Sequence, residues 1–398
     1  MKDILIHRWE PVHSWLLLSL FVGIADQFLF VCLSWIVLSE SPLGTAVSVL
    51  TVISLARLLA FLLVPSLSTR LPQLSIAALG ISGRLLAMLL LLSLTVAQTN
   101  PVFLLGALLL FAVSDGLFIP VSSVILRALS APDTYVGSLA LMQIAVNIAL
   151  AFAAIMGGLA LEWTTRIGLV TLLALMSILN MATFLFFFRR HAQVLRPTSS
   201  PVALSSGMRA VLALPGNKTA FGLVFILELM VAGSLNVLFP RALTSGGYSP
   251  SHFGYGIALF VVTSVLCSSV LVKAPRIVAF KYYLPLVLLL PSIAYSLVIA
   301  HIPAAYFFAF SLLGASAAFI APFLSNRLAN SVSTDMHPLL FTLFSITSYS
   351  AIFMSYSLSG LMLYISDTNT VLTFSALTFF VLAVLSLQKN SSMGGKDQ

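Results

Sequence analysis

Apolar residues fill this chain in long runs, and polar residues collect in short breaks between them. Runs of this length suit helices that cross a bilayer, each of which needs about 20 mostly apolar residues. Twelve spans are predicted, with cores at 14–38, 43–64, 74–97, 101–124, 137–161, 167–188, 220–240, 253–272, 282–300, 304–325, 339–364 and 369–387. The one long polar connection, residues 189–219, falls between the sixth and seventh spans. Its Ser, Pro and Arg content reads as a partly disordered cytoplasmic linker, with a short amphipathic stretch at 208–214 suited to lie on the membrane. The predicted fold is an all-α membrane protein, twelve transmembrane helices in two pseudo-symmetric six-helix bundles. The bundles are residues 1–190 and 219–390, joined by a linker at 191–218 and followed by a cytoplasmic tail at 391–398. The first run is too long for a signal peptide, carries Asp26 and lacks a small-residue cleavage site, so it is expected to remain as a span.

The two halves share polar landmarks at one offset. Asp26 and Glu228 are 202 residues apart, and so are Pro120 and Pro322, Asp133 and Asp335, and Gly158 and Gly360. Because six spans are an even number, the halves enter the membrane in the same orientation, as a parallel repeat about an axis along the membrane normal.

Composition sharpens this. The chain has 398 residues, 60% hydrophobic and 8% charged, with a mean hydropathy of +1.10, far from a soluble globular protein. The formal charge of +8 could suit nucleic acid, but 15 of the 19 Lys and Arg fall on one side of the predicted topology, two on the other and two inside spans. That is the positive-inside pattern, which places both termini in the cytoplasm and leaves no nucleic-acid footprint. The expected location is a bacterial cytoplasmic (inner) membrane. Cys32 and Cys267 both lie in predicted spans and read as packing residues. No phosphate-cradling glycine loop, metal-ligand spacing or nucleophile–base pair is present, so an enzyme is not expected and neither is a cofactor, the proton gradient being the energy source.

The candidate chemistry is inside the spans. Asp26, Asp115 and Glu228 come out roughly 15 to 20 Å deep, near the midplane of a ~30 Å core. A charged carboxylate there costs at least about 2.5 kcal/mol, so each can serve as a proton carrier or be held in a permanent ion pair. Arg57 and Arg84 are at similar depth and can either compensate these acids or clamp an anionic substrate group. Neutral polar residues add a possible lining or interhelical hydrogen bonds: Gln27, Asn180 and Asn236, and the i, i+4 pair Gln143 and Asn147. Tyr349, Phe353 and Tyr356 form an aromatic stripe on the eleventh span, either packing or cavity wall. Pro120 and Pro322 can bend the fourth and tenth spans. Arg127 with Asp133, and Arg327 with Asp335, flank cytoplasmic loops where ion pairs can hold an inner gate shut.

The stretch GLFIPVSSVILRALSAPDTYVGSLALMQIAVNIALAFAAIMGGLAL at 116–161 resembles the fourth and fifth spans of the major facilitator superfamily, more narrowly its macrolide, siderophore and multidrug exporter branch. NVLFPRALTSGGYSPSHFGYGIAL at 236–259 is similar to that branch's seventh span, the loop after it and the start of the eighth. The resemblance implies a secondary active transporter working by alternating access as a monomer, with the spans carrying Asp26, Asp115 and Glu228 lining a central cavity. It implies proton-coupled efflux of an amphipathic small molecule, a drug, siderophore or natural-product antimicrobial. The chain departs from the family at two places. PSLSTRLPQ at 65–73 keeps Leu67 and Arg70 of the loop motif but has Thr69 where the family has Asp, which removes one side of a gating charge pair. The antiporter motif survives as small residues at 149, 153 and 157 without its proline. Two other readings remain: an importer or lipid transporter using Arg57 and Arg84 as an anion site, and a non-transporting membrane sensor.

Overall fold

The computed structural model describes residues 2–68, 70–98, 101–130, 135–191, 204–273, 283–300, 302–329, 332 and 337–393. With Asn217–Ser245 counted as one helix, these residues form thirteen helices. The first half contributes α1 (Lys2–Glu40), α2 (Leu43–Ser68), α3 (Gln73–Val96), α4 (Pro101–Leu129), α5 (Tyr135–Trp163) and α6 (Arg166–His191). After the short α7 (Leu204–Ala213) come α8 (Asn217–Ser245), α9 (Pro250–Lys273), α10 (Tyr283–Ile299), α11 (Pro303–Ala329), α12 (His337–Ile365) and α13 (Thr368–Met393). Nine of the described helices are long and apolar enough to cross a membrane, and two apolar stretches, Tyr283–Ile299 and Ala304–Phe319, are shorter. The remaining long helix, α12, has 29 residues and is dense in Ser, Thr and Tyr.

The linker's amphipathic stretch is part of α7, but it does not simply lie on a membrane surface. Val211 is fully buried in the core of the second half, and Asn217 Nδ2 donates to the Val211 carbonyl at 2.9 Å. Its apolar side is therefore spent on α8 and α12, against which α7 packs.

Within the first half α1 packs on α5 and α6, α3 on α4 and α6, and α2 on α4; within the second, α9 and α10 pack on α11, α10 on α13, and α8 on α12. The halves meet along two main seams, α5 against α9 and α2 against α12, and α1 also touches the C-terminal part of α8. Both seams tighten toward the bundle end that carries the α1–α2 and α5–α6 connections, called here the distal face. A Cβ on Gly158 would come 2.9 Å from the Pro250 carbonyl, and one on Gly254 would overlap the Ala154 carbonyl. On the other seam a Cβ on Gly360 would overlap Val47. Gly158 and Gly360, one repeat apart, thus hold equivalent seams, where absence of a side chain allows close helix approach. At the distal end of the α5–α9 seam the Ser251 N–H donates to Glu162 Oε1 at 3.1 Å, capping the start of α9.

The apolar core divides unevenly. In the first half one cluster surrounds Trp15, Ile81, Phe118 and Val121, and a second surrounds Phe28, Met88, Phe111 and Leu173. The second half shares one continuous cluster that runs through Phe239, Tyr295, Phe310 and Phe379 and extends into the seams.

Candidate functional site

Between the two clusters of the first half lies a layer of charge. Arg57 from α2 places Nη2 2.8 Å from Asp26 Oδ1 on α1, and Nε 2.8 Å from Asp115 Oδ2 on α4. Arg84 from α3 places Nη1 2.7 Å from Asp115 Oδ1 and Nη2 3.7 Å from Asp26 Oδ1. Each arginine touches both aspartates, a closed ring of four charges summing to zero. The Arg57 Nε contact lies off the hydrogen-bond direction and is ionic only; Arg57 Nη2 with Asp26 and Arg84 Nη1 with Asp115 are directed hydrogen bonds. The flanking residues of Asp115 explain how α4 comes close enough. A Cβ on Gly116 would overlap the Arg57 carbonyl, and one on Gly83 would overlap Ser114 Oγ, so α2 and α3 approach α4 on either side of the aspartate. Arg84 also donates to the Val22 carbonyl at 3.3 Å. Phe30 and Phe111 cover the guanidinium faces at 4.5 and 4.7 Å. Asp115 and Arg84 are 1% and 2% exposed, and such a network is held by its geometry, since charges taken out of water are costly unless every partner is in place.

The ring forms one wall of a cavity of about 330 Å3, which Gln27, Phe118, Tyr349, Ile352, Tyr356 and Asn236 also line. Asn236, Ile352 and Tyr356 form a shared wall with a second cavity of about 310 Å3, in the other half. This second cavity is apolar, with Val231, Leu235, Phe260 and Phe344 among its lining, and it contains Glu228. Among the described residues Glu228 forms no ion pair. The Ser348 hydroxyl approaches its carboxylate without making a well-formed hydrogen bond. Similar depths along α1 and α8 thus carry two carboxylates in opposite circumstances, one occupied by guanidinium N–H groups and one left to whatever enters the cavity.

Of the residues singled out in the sequence, Asp26, Gln27, Arg57, Arg84 and Asp115 meet at the first cavity, Glu228 lies in the second, and Asn236 and Tyr356 face both. Tyr349 lines the first cavity and packs against Phe61 in a tilted pair with centroids 5.2 Å apart. Phe353 lines neither cavity; Ile352 takes that place on α12, so the cavity face reads 349, 352, 356. Gln143 and Asn147 also line neither. Gln143 Nε2 donates to Asn147 Oδ1 at 3.3 Å on an exposed face, while Met142 and Val146 turn to the cavity. Asn180 is buried on α6. Pro120 sits inside α4, and Pro322 lies in α11 with its side chain outside the described residues. Arg70 is exposed beside the α2–α3 connection, and its N–H donates to the Leu67 carbonyl at 2.9 Å. Arg127 is exposed near the end of α4, but Asp133, Asp335 and the Arg327 side chain lie outside the described residues, as does Thr69. Among the described residues no cluster of His, Cys, Asp or Glu suits a metal ion.

Three participants carry no signal in a periodicity reading: Ser348, Ser355 and Tyr295. Ser355 Oγ accepts the Gly233 N–H of α8 at 2.6 Å and donates to the Leu229 carbonyl. The hydroxyl density of α12 is the one sequence feature that points toward the two serines; nothing in the sequence of α10 singles out Tyr295.

No protein-family model matches the chain, and no curated protein matches its sequence. Solved structures do match. A POT family transporter in complex with a thioalcohol-conjugated peptide superposes with a TM-score of 0.73 at 14% identity, over 96% of this chain and 99% of that one. The nucleoside transporter NupG matches with a TM-score of 0.68 at 13% identity, over 96% and 99%. A bacterial homologue of the iron transporter ferroportin, in an inward-facing state, matches with a TM-score of 0.69 at 17% identity, again over 96% and 99%. At these identities the likeness is one of fold: the regular structure of the described residues is all helical, and the protein is a multi-pass membrane protein that shares the fold of these transporters.

Proposed function

We propose that the protein is a secondary active transporter that exchanges protons for an amphipathic small molecule bearing a positive charge. The observation that carries this is Glu228, a carboxylate without an ionic partner among the described residues, in an apolar cavity. Charged and alone at that depth it costs at least about 2.5 kcal/mol, and either a proton or a cation relieves the cost. The two therefore compete for one site, which is the elementary requirement of coupled exchange. The apolar lining accepts a hydrophobic body with few fixed polar contacts, in keeping with a loosely discriminating pocket. Asp26 and Asp115 keep the cavity's other wall neutral through Arg57 and Arg84, and Asn236 and Tyr356 bridge the two compartments.

Export is the direction that the resemblance to the macrolide, siderophore and multidrug exporter branch favours, with the basic loops and both termini in the cytoplasm. Solved neighbours include transporters of peptides and nucleosides, so the assay must read both directions. The anion reading, import or lipid transport through Arg57 and Arg84, is disfavoured because both guanidiniums are already spanned by carboxylates.

The test is substrate-induced proton movement in proteoliposomes under an imposed pH gradient, with cationic, zwitterionic and anionic amphiphiles. Wild type is expected to move protons only with cationic probes such as ethidium. Glu228→Gln is expected to lose that response at least tenfold and to lose the weakening of probe binding at low pH, since a glutamine has no charge for protons to remove. Selective response to anionic amphiphiles, surviving Glu228→Gln and lost in Arg57→Ala, would move the assignment to the anion site.

A further inference from the structure

Five residues past Glu228, at Gly233, helix α8 stops being regular. In an α-helix the Gly233 N–H would donate to the Leu229 carbonyl four residues earlier. Here that N–H donates to Ser355 Oγ at 2.6 Å, and the same hydroxyl donates to the Leu229 carbonyl. One hydroxyl from α12 is spliced into one backbone bond of α8. The next bond is displaced as well: the Ser234 N–H turns to the Val231 carbonyl. The Met230 carbonyl, its usual acceptor, receives the Tyr295 O–H from α10 at 3.1 Å and lies 2.6 Å from Ser234 Oγ. Ser234 Oγ and Tyr295 Oη are themselves 2.8 Å apart. A π-helical turn at Ser234–Leu238 comes next, with Asn236 on the wall between the two cavities. A Cβ on Gly233 would overlap both Ser355 and Ser359 hydroxyls, so glycine is required for the splice.

We infer that Ser355 and Tyr295 are positioning residues that hold α8 open between Glu228 and Asn236, and that closing and reopening this splice re-aims Glu228 during exchange. The freed carbonyls and N–H are satisfied in the open form by hydroxyls and in the closed form by the helix itself, so neither form leaves a backbone group of α8 without a partner. A π-turn holds one residue more than an α-turn, so a return of Ser234–Leu238 to α spacing as the Gly233–Leu229 bond re-forms rotates the Glu228 segment relative to Asn236 by up to about 100°, one residue of helix. The same hydroxyl ties this motion to α12, the helix that carries Ile352 and Tyr356 into both cavities and packs on α2 across the seam. The inference rests on the reading of Glu228 as the exchanging carboxylate, and its test is built to fail separately.

In a background with Cys32→Ala and Cys267→Ala, spin labels at positions 163 and 365, on exposed distal ends of the two halves, report the spacing of the halves by pulsed electron resonance. Wild type is expected to show two distances whose proportions change between neutral and acidic pH. Ser355→Ala should collapse them toward one and cut ethidium exchange about tenfold in kcat with KM within twofold; Ser355→Thr, which keeps the hydroxyl, should restore both. Tyr295→Phe should act in the same direction with a smaller effect, about threefold. Distances and turnover unchanged in both Ser355→Ala and Tyr295→Phe would overturn the inference, and so would loss of ethidium binding in step with turnover. If wild type moves no cationic probe while Ser355→Ala still collapses the distance distribution, the splice stands and the exchange reading of Glu228 falls.

Discussion

The two halves solve the same problem in opposite ways. In the first, Asp26 sits in an uninterrupted α1 and is locked into a ring with Arg57, Arg84 and Asp115. That ring cuts the half's apolar core into two layers. In the second, the residues at the same 202-residue offset from Arg57, Arg84 and Asp115 are Leu259, Leu286 and Ala317. Glu228, the counterpart of Asp26, is left without a ring, the apolar core is continuous, and the helix that carries the acid turns π-helical at Ser234–Leu238. The first half holds its charges in a closed scaffold. The second half keeps its acid at the matching position and lacks the matching arginines, so something else must neutralise it. The difference teaches that the count of intramembrane charges matters less than their closure: five charges leave one carboxylate without an ionic partner among the described residues, and that one is where the proposed exchange would occur.

Breaking the ring is expected to have the largest effect. Asp115→Asn leaves two buried guanidiniums facing one aspartate, and removing one partner of a buried ionic network costs about 3–5 kcal/mol. The expected result is a drop of about 10 °C in the apparent Tm of the detergent-purified protein, followed by intrinsic tryptophan fluorescence. The double replacement Asp115→Leu with Arg84→Met should recover most of that loss, because a neutral pair of similar bulk leaves no charge stranded. If the double variant is as unstable as the single one, the ring holds the half together through more than charge balance, and the contrast between the halves weakens.

A smaller effect is expected from giving the second half what it lacks. Ala317 lines the Glu228 cavity as Asp115 lines the other, so Ala317→Arg brings a guanidinium toward the lone carboxylate. Binding of a cationic probe should fall at least tenfold, equivalent to about 1.4 kcal/mol or more, with the fold preserved. Equilibrium titration with ethidium checks this, and undiminished affinity would mean that Glu228 is not the group the cation meets.

Much of this was legible in the chain before any geometry. Apolar run lengths marked the nine described helices that are long and apolar enough to cross a membrane, because that length is set by the bilayer rather than by packing detail. Asp26, Arg57, Arg84 and Asp115 stood out as charges at one depth. That each arginine contacts both aspartates could not be read, since pairing depends on how α2 and α3 rotate against α4. A local cue existed in Gly83, beside Arg84, and Gly116, beside Asp115, glycines that admit close approach where the charges sit. The α12 stripe shows the limit of periodicity: helical spacing fixes a face to about one residue, so 349, 353, 356 and 349, 352, 356 are equally good stripes until a neighbour chooses. The opening of α8 lay beyond any local pattern, because hydroxyls from α10 and α12 cause it.

The smallest expected effect concerns Gln143 and Asn147, which the sequence offers as cavity residues and the structure places on an exposed face of α5 outside both cavities. Their mutual hydrogen bond is an i, i+4 contact on a helix surface, worth about 0.2–0.5 kcal/mol. Replacing both with leucine should therefore leave the apparent Tm within about 2 °C and ethidium flux within twofold. The same pair of residues lies at the offset of Ser345 and Tyr349, and Tyr349 does face a cavity. A flux loss of fivefold or more in the double leucine variant, with binding intact, would mean that α5 turns this face inward at another stage of the cycle. The two halves would then be more alike in motion than they are in this conformation, and the division into a fixed half and a chemical half would have to be redrawn around α5 and α12.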